Sequence, residues 1–211
     1  MECKKGGEEH GVVFDAFGTL VKIDRASHPY RQLLKLGIMR GRKPRHDDVS
    51  AIMSNHWSLE VAACELGIAI KCHELEALQS CLDDELSSIT AYPDGLDAVA
   101  MLKCAGFRVG VCSNLALPYA PALMGLYPSL DAMSFSFEVG ALKPDVRIYQ
   151  DVCAKLGVDP GSVTMIGDSQ KCDSIGPREF GMGGWHLDRS PGAPLSELTS
   201  FAGIMIKKFK I

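Results

Sequence analysis

Four short runs in this 211-residue chain bring together residue types that can do chemistry. The first is Val12-Val13-Phe14-Asp15-Ala16-Phe17-Gly18-Thr19-Leu20, an apolar stretch that stops on a carboxylate and continues into a turn-prone Gly-Thr pair. The second is Ser113-Asn114, directly after the apolar residues that end at Cys112. The third is Lys143-Pro144, and the fourth is Gly167-Asp168-Ser169-Gln170-Lys171-Cys172-Asp173, which follows Val163 to Ile166. Together they offer a carboxylate at a strand end, a hydroxyl, an ammonium and two further carboxylates. Taken singly each has an ordinary reading: Asp15 as a turn residue, Ser113-Asn114 as a turn, Lys143 as a surface lysine, Asp168 as a solvated loop residue and Asp173 as a helix-start carboxylate. Only their order along the chain overturns those readings.

The elements that must position these residues follow from hydrophobic period. Gly11 to Phe14 reads as a buried strand delivering Asp15 to a loop. From Asp24 to Thr90 the pattern is helix after helix. Pro29 sits at a helix start ahead of Tyr30, Leu33 and Leu34, and Gly37 weakens that helix's end. A second helix follows Asp47 with Val49, Ile52 and Met53 on one face, and Ser58 caps a third carrying Leu59, Ala62, Ala63 and Leu66. The fourth places Leu75, Leu78, Leu82, Leu86 and Ile89 along one side, until Tyr92-Pro93-Asp94-Gly95 breaks it.

Thereafter helix and strand alternate, which favours a parallel sheet with crossover helices. A helix to Cys104 leads into a strand from Phe107 to Cys112, and Met133 to Phe137 reads as another strand. Asp145 to Leu156 is a helix ended by Gly157, Val163 to Ile166 is the next strand, and Gly183 to Leu187 the last. The tail past Asp188 has no clear assignment, with Lys207, Lys208 and Lys210 as a solvated end. The expected fold is α/β: a doubly wound parallel sheet formed by residues 11–23 and 91–211, interrupted by an all-helical insertion over 24–90. Ligands of such sheets bind beyond the carboxyl ends of the strands, where an insertion can close over them.

Bulk composition narrows the partners. Twenty-two basic residues against 26 acidic ones give a net charge of -4, without the basic face a nucleic-acid backbone requires. A small-molecule substrate is expected. No apolar run is long enough to span a bilayer, and Met1 to His10 lacks the apolar core of an export signal, so a soluble, cytoplasmic protein is expected. The 8 cysteines form no CxxC pair, so they read as reduced, mostly buried thiols with no zinc spacing. His10, His28, His46, His56, His73 and His186 match no motif. No GxSxG elbow, P-loop or GxGxxG is present. Oligomeric state is not legible.

The ordered set of four runs resembles the haloacid dehalogenase superfamily, in its branch with a helical cap inserted after the first motif, over Gly11 to Leu187. The resemblance implies a hydrolase in which Asp15 forms a covalent intermediate, and the physical chemistry agrees. A carboxylate attacks an electrophile well only when held at contact distance with the departing charge stabilised. Ser113, the backbone N–H of Asn114 and Lys143 would supply donors and positive charge to substrate oxygens, joined by backbone N–H groups after Asp15. Thr19 belongs to the same motif.

Two departures from the family pattern pull in opposite directions. Most phosphatases of the superfamily carry a second Asp, their general acid and base, two residues after the nucleophile; here that position is Phe17. An aromatic residue there resembles the 2-haloacid dehalogenases, whose halide leaves without a proton. Asp168 points the other way, because the dehalogenase branch typically has no carboxylate at that place. Asp168 beside Asp15 without a counter-ion would raise one pKa by like-charge repulsion. By resemblance, Mg²⁺ would be held by the side chains of Asp15 and Asp168 and the backbone carbonyl of Phe17, with Asp173 bound directly or through water. A metal suits a phosphoryl oxygen better than a carbon–halogen bond, so a Mg²⁺-dependent phosphohydrolase is the leading expectation. A metal-free 2-haloacid dehalogenase is the runner-up, with Arg40, Arg42 or Arg45 as candidate anion contacts that otherwise read as surface charge. A catalytically weakened binding or regulatory protein is the third.

Overall fold

The structure, a computed structural model, describes residues 9–209. The chain opens with strand β1 (Gly11–Phe14), turns at Gly18 and enters β2 (Val21–Ile23). Four helices follow: α1 (Pro29–Met39), α2 (Asp48–Met53), α3 (Leu59–Glu65) and α4 (Cys72–Ser87). Strand β3 (Ile89–Ala91) then returns antiparallel to β2, with Ile23 opposite Ile89. The remainder alternates as α5 (Pro93–Cys104), β4 (Arg108–Ser113), α6 (Ala120–Leu126), β5 (Ala132–Phe135), α7 (Ser136–Val139), α8 (Val146–Leu156), β6 (Val163–Gly167), α9 (Gly176–Phe180), β7 (Gly183–His186) and α10 (Leu198–Phe209).

Five strands form one parallel sheet in the order β5-β4-β1-β6-β7. β1 is central and buried along its whole length, which is why it reads as a continuous apolar run with no polar alternation. Its alternate side chains serve two cores. Val12 and Phe14 join α5 and α10 through Leu102, Leu198 and Phe201, whereas Val13 joins α8 through Ile148 and Val152. The expected α/β sheet is therefore present, and its chain order reverses beside β1, the place where such sheets open a crevice.

Helices α1 to α4 bury a third cluster of their own, including Leu33, Ile52, Leu59, Leu78 and Leu82. Ser58 caps α3 as its sequence predicts, its Oγ accepting from the N–H of Val61 at 3.2 Å. Gly37 lies in the last turn of α1, two residues before its end at Met39. Its role is close approach, since a Cβ there would lie 2.9 Å from Ile68.

Several expectations need correction. Ile89 belongs to β3 and not to the stripe of α4. The strand expected over Met133 to Phe137 ends at Phe135, because Ser136 starts the short helix α7. The cysteines are not mostly buried: Cys112 and Cys153 are, but Cys64, Cys72 and Cys104 are exposed. Cys3 lies outside the described residues. The unassigned tail contains α10, whose Leu198, Phe201, Ala202 and Met205 recur at helical spacing and pack on the sheet's α5 side. Lys207 and Lys208 are exposed as expected, and Lys210 lies outside the described residues.

Candidate active site

Strand register assembles the site. Phe14 pairs with Val111 on β4 and with Ile166 on β6, so one step further Asp15 stands level with Cys112 and Gly167. The N–H of Asp15 donates to the carbonyl of Ile166 at 2.9 Å and holds the backbone in that position. Ser113 and Asp168 project from the adjacent strand ends. Three of the four sequence runs thus reach one carboxyl edge through pairing alone.

The third run arrives from the loop before α8. Lys143 is buried, and its Nζ lies 2.6 Å from Oδ1 of Asp15 and 2.7 Å from Oδ1 of Asp173. Ser113 Oγ donates to the same Asp15 oxygen at 3.2 Å, leaving Oδ2 outside both of these bonds. Burial alone would lower the pKa of Lys143, but the carboxylates of Asp15 and Asp173 outweigh it and keep the ammonium protonated. For Asp173, burial raises the pKa while Lys143 pulls it down. The Asn114 side chain acts as a bracket. Its Oδ1 accepts from the Lys143 N–H at 2.7 Å, and its Nδ2 donates to the Lys143 carbonyl at 3.1 Å.

Asp15, Asp168 and Asp173 have carboxylate oxygens within 4.8 Å of one another. Asp168 is the exposed member, with its pKa raised first by partial burial and then by the charge of Asp15. Asp173 is fixed by the turn of the fourth run, accepting from the N–H of Ser169 at 2.9 Å. Three carboxylates around one lysine leave an excess of negative charge and a set of hard oxygen donors, a composition that fits a small divalent cation.

The loop after Asp15 is pinned from outside. Gly18 has φ of +80°, and a Cβ there would collide with Oδ2 of Asp168; only glycine fits. Arg189, beyond β7, donates from Nε to the Gly18 carbonyl at 3.2 Å and from Nη2 to the Thr19 carbonyl at 2.6 Å. Its guanidinium also pairs with Asp94 at 3.1 Å and lies 3.8 Å over the Tyr92 ring. The Leu20 carbonyl accepts from the N–H of Tyr92 and the hydroxyl of Tyr127. The turn's own bonds run from Gly18, Thr19, Leu20 and Val21 to the carbonyls of Ala16 and Val21. None of these contacts uses the carbonyl of Phe17 or the N–H groups of Ala16 and Phe17. Thr19 Oγ1 is buried without a hydrogen-bond partner. No motif marked Arg189, and its partner Asp94 is 95 positions away.

A cavity of about 280 Å³ opens between this edge and helices α1 and α2, lined by Phe17 and Asn114 on one side and by Tyr30, Leu34 and Ile52 on the other. Phe17 stands edge-on to Tyr119, ring centres 5.8 Å apart. The cation on the cavity wall is Arg31, and the three arginines singled out in the sequence are engaged elsewhere. Arg42 is held by both oxygens of Asp48 at 2.5 and 2.7 Å and by the Leu66 carbonyl, so it is not surface charge. Arg40 pairs with Glu74, and Arg45 reaches Asp48. Among the histidines, His28 lines the cavity and His186 Nε2 lies 3.1 Å from the Asp168 carbonyl. A larger surface depression of about 530 Å³ beside Cys153 and Phe180 shares no residue with this site.

The chain is similar to known proteins over most of its length. Residues 10–181 match the family described as haloacid dehalogenase-like hydrolase. The chain is 29% identical over 199 residues to (S)-2-haloacid dehalogenase 4A of Burkholderia cepacia, covering 86% of this chain and 84% of that one. It is 30% identical over 94 residues to glyceraldehyde 3-phosphate phosphatase of Methanothermobacter thermautotrophicus, covering 43% and 42% of the two chains. The crystal structure of a HAD phosphatase from Thermococcus onnurineus superposes with a TM-score of 0.64 at 20% identity, covering 93% of this chain and 97% of that one. Among the described residues no helix is long and apolar enough to cross a membrane. The chain belongs to the haloacid dehalogenase-like hydrolases, a family that includes both dehalogenases and phosphatases.

Proposed function

We propose that this hydrolase is a Mg²⁺-dependent phosphohydrolase acting on a small phosphorylated molecule through a covalent intermediate on Asp15. The observation that carries this reading is the packing of Asp15, Asp168 and Asp173 within 4.8 Å around Lys143. A metal-free dehalogenase has no use for Asp168. Mg²⁺ would be held by carboxylate oxygens of Asp15 and Asp168 and the free carbonyl of Phe17, with Asp173 direct or through water. When bound, the ion would offset like charge and polarise a phosphoryl oxygen.

The chain's own residues supply the rest. Lys143 and Ser113 hold one oxygen of Asp15 and orient the other toward phosphorus. The carboxylate attacks, the bond from phosphorus to the leaving oxygen breaks, and its electron pair departs with that oxygen. Water then attacks phosphorus in the acyl phosphate, releasing inorganic phosphate and restoring the carboxylate. Lys143, Ser113, the N–H of Asn114 and the N–H groups of Ala16 and Phe17 would bind phosphoryl oxygens. Thr19 Oγ1, buried and without a partner in the structure, would be a further group available to the site. Residues 24–90, helical through α1 to α4, would serve as a cap over a core of 11–23 and, among the described residues, 91–209; Phe17 replaces the acid that family phosphatases carry.

The dehalogenase reading is favoured by Phe17 and Arg31 on the cavity wall, together with the 29% relative. There Asp15 would displace halide from carbon, and water would hydrolyse the resulting ester. Assaying the protein and Asp15→Asn on phosphate esters and 2-haloacids, with and without Mg²⁺, separates the two. Magnesium-dependent phosphate release that Asp15→Asn abolishes is expected. Metal-independent halide release without phosphatase activity overturns the lead.

A further inference from the structure

The cavity wall contains polar side chains, but their donors are already engaged. The hydroxyl of Tyr30 donates to the carbonyl of Trp57 at 2.8 Å, and that of Tyr119 donates to Oε1 of Glu85 at 2.7 Å. Oε2 of Glu85 accepts from the N–H of Ser27 at 2.5 Å, from its hydroxyl at 3.0 Å and from the N–H of His28 at 2.6 Å. The amide of Asn114 is committed to the backbone of Lys143. A ligand in the cavity therefore meets ring faces and aliphatic groups, with Arg31 and His28 as the remaining polar side chains.

From this arrangement we infer that the substrate is an aryl phosphate, a phosphate ester whose organic part is one compact, apolar ring and not a sugar or polyol. The inference rests on the phosphohydrolase reading and narrows its substrate. A sugar hydroxyl entering this space loses its water hydrogen bonds and finds few replacements. A planar ring packs against the perpendicular pair of Phe17 and Tyr119.

Leaving-group chemistry points the same way. Phe17 lines the cavity two residues past Asp15, so the loop contributes an apolar ring where a proton donor would stand. An alkoxide leaves poorly without a proton, whereas a phenolate, whose acid has a pKa of about 10, departs as the anion. One residue thus accounts both for the apolar wall and for the kind of oxygen that can leave.

The test is a matched series with Mg²⁺: phenyl phosphate, cyclohexyl phosphate and glucose 6-phosphate as substrates, and phenylphosphonate against inorganic phosphate in calorimetric titration. The expected order is phenyl phosphate first, with kcat/KM for glucose 6-phosphate lower by about 100-fold or more. Phenylphosphonate should bind at least about tenfold tighter than phosphate, and Leu34→Gln should reduce that advantage. Hydrolysis of glucose 6-phosphate as fast as of phenyl phosphate overturns the inference while the phosphohydrolase reading stands. Equal affinity for phenylphosphonate and phosphate overturns it too. No hydrolysis of any ester, alongside dehalogenation of a 2-haloacid, overturns the phosphohydrolase reading and the inference with it.

Discussion

The ammonium of Lys143 lies 2.6 Å from Oδ1 of Asp15, and the same nitrogen reaches Asp173 at 2.7 Å, so one buried cation serves two buried carboxylates. Removing it leaves both anions without their counter-ion. Breaking a buried pair from one side typically costs about 3–5 kcal/mol. Lys143→Met should therefore lower Tm by roughly 6 °C or more and reduce turnover by at least about 100-fold. Adding Asp173→Asn should recover part of the lost stability but not the activity. Thermal melts of the single and double variants check this; a Lys143→Met protein that melts with the wild type contradicts the electrostatic account.

The carboxylate cluster leads to a binding prediction independent of turnover. Titrating the protein with Mg²⁺ in a calorimeter at neutral pH should give saturable binding at millimolar metal or below. Asp168→Asn should weaken it by at least about tenfold, because the variant removes one of few anionic oxygen donors. Binding should also raise the wild-type Tm through mass action. No heat and no shift in Tm would favour the metal-free dehalogenase.

Arg189 ties the carbonyls of Gly18 and Thr19 to Asp94. Its removal should loosen the loop that carries Asp15. Arg189→Met is expected to speed amide hydrogen exchange in residues 15–21 and to lower kcat by about 10-fold or more. Arg189→Lys should recover little, since one ammonium cannot reproduce the planar fork that spans two carbonyls and a carboxylate. Unchanged exchange in that segment would count against a positioning role.

The elements around the chemistry were legible because their cues are local. Gly11 to Phe14 and Val163 to Ile166 are short, β-branched-rich runs with Thr164 as their one polar residue, and Ser58 caps α3 by its own hydroxyl. The four motif runs also converge because adjacent parallel strands end at one edge. What escaped was non-local. Ile89 continues the spacing of α4, and only its pairing with Ile23 makes it a strand residue. Arg31 and Arg42 look alike in sequence, yet Asp48 engages one while the cavity receives the other. Arg189 and Asp94 meet across 95 positions, a distance at which local spacing is silent.

Glu85 is buried on α4 and accepts a hydrogen bond from the Tyr119 hydroxyl at 2.7 Å, which joins that helix to the core. Burial opposes its charge, but hydrogen bonds from Tyr119, His28 and Ser27 outweigh that and hold its carboxyl below the usual glutamate range. A folded pKa lower than the unfolded one means that the unfolded chain binds the proton more readily. The contribution to stability is thus present above the unfolded value of about 4.3 and is lost as pH falls through the folded value. Glu85→Gln should lower Tm at neutral pH, and the gap from wild type should shrink between about pH 6 and pH 3.5. A gap that stays constant across that range contradicts the assignment.

Phe17 offers the sharpest test, because it separates the two chemistries by sign. If Lys143, Ser113 and a metal already make a complete phosphoryl cradle, the missing part is a group that protonates the leaving oxygen and then activates water. Phe17→Asp supplies one two residues after the nucleophile, on a loop already pinned by Arg189 and Tyr127. A positioned acid and base typically contributes about 10² to 10⁴-fold, so activity on an alkyl phosphate should rise toward that range. The gain should be smaller for p-nitrophenyl phosphate, whose leaving group needs little protonation. In a dehalogenase the same substitution should depress activity, since it adds a carboxylate beside Asp15 and removes an apolar wall from the cavity. Measuring kcat/KM of both proteins on an alkyl phosphate, p-nitrophenyl phosphate and a 2-chloro acid decides between them. A folded Phe17→Asp protein, its new carboxylate shown by structure to face the site, with no gain on the alkyl ester would refute the phosphohydrolase reading.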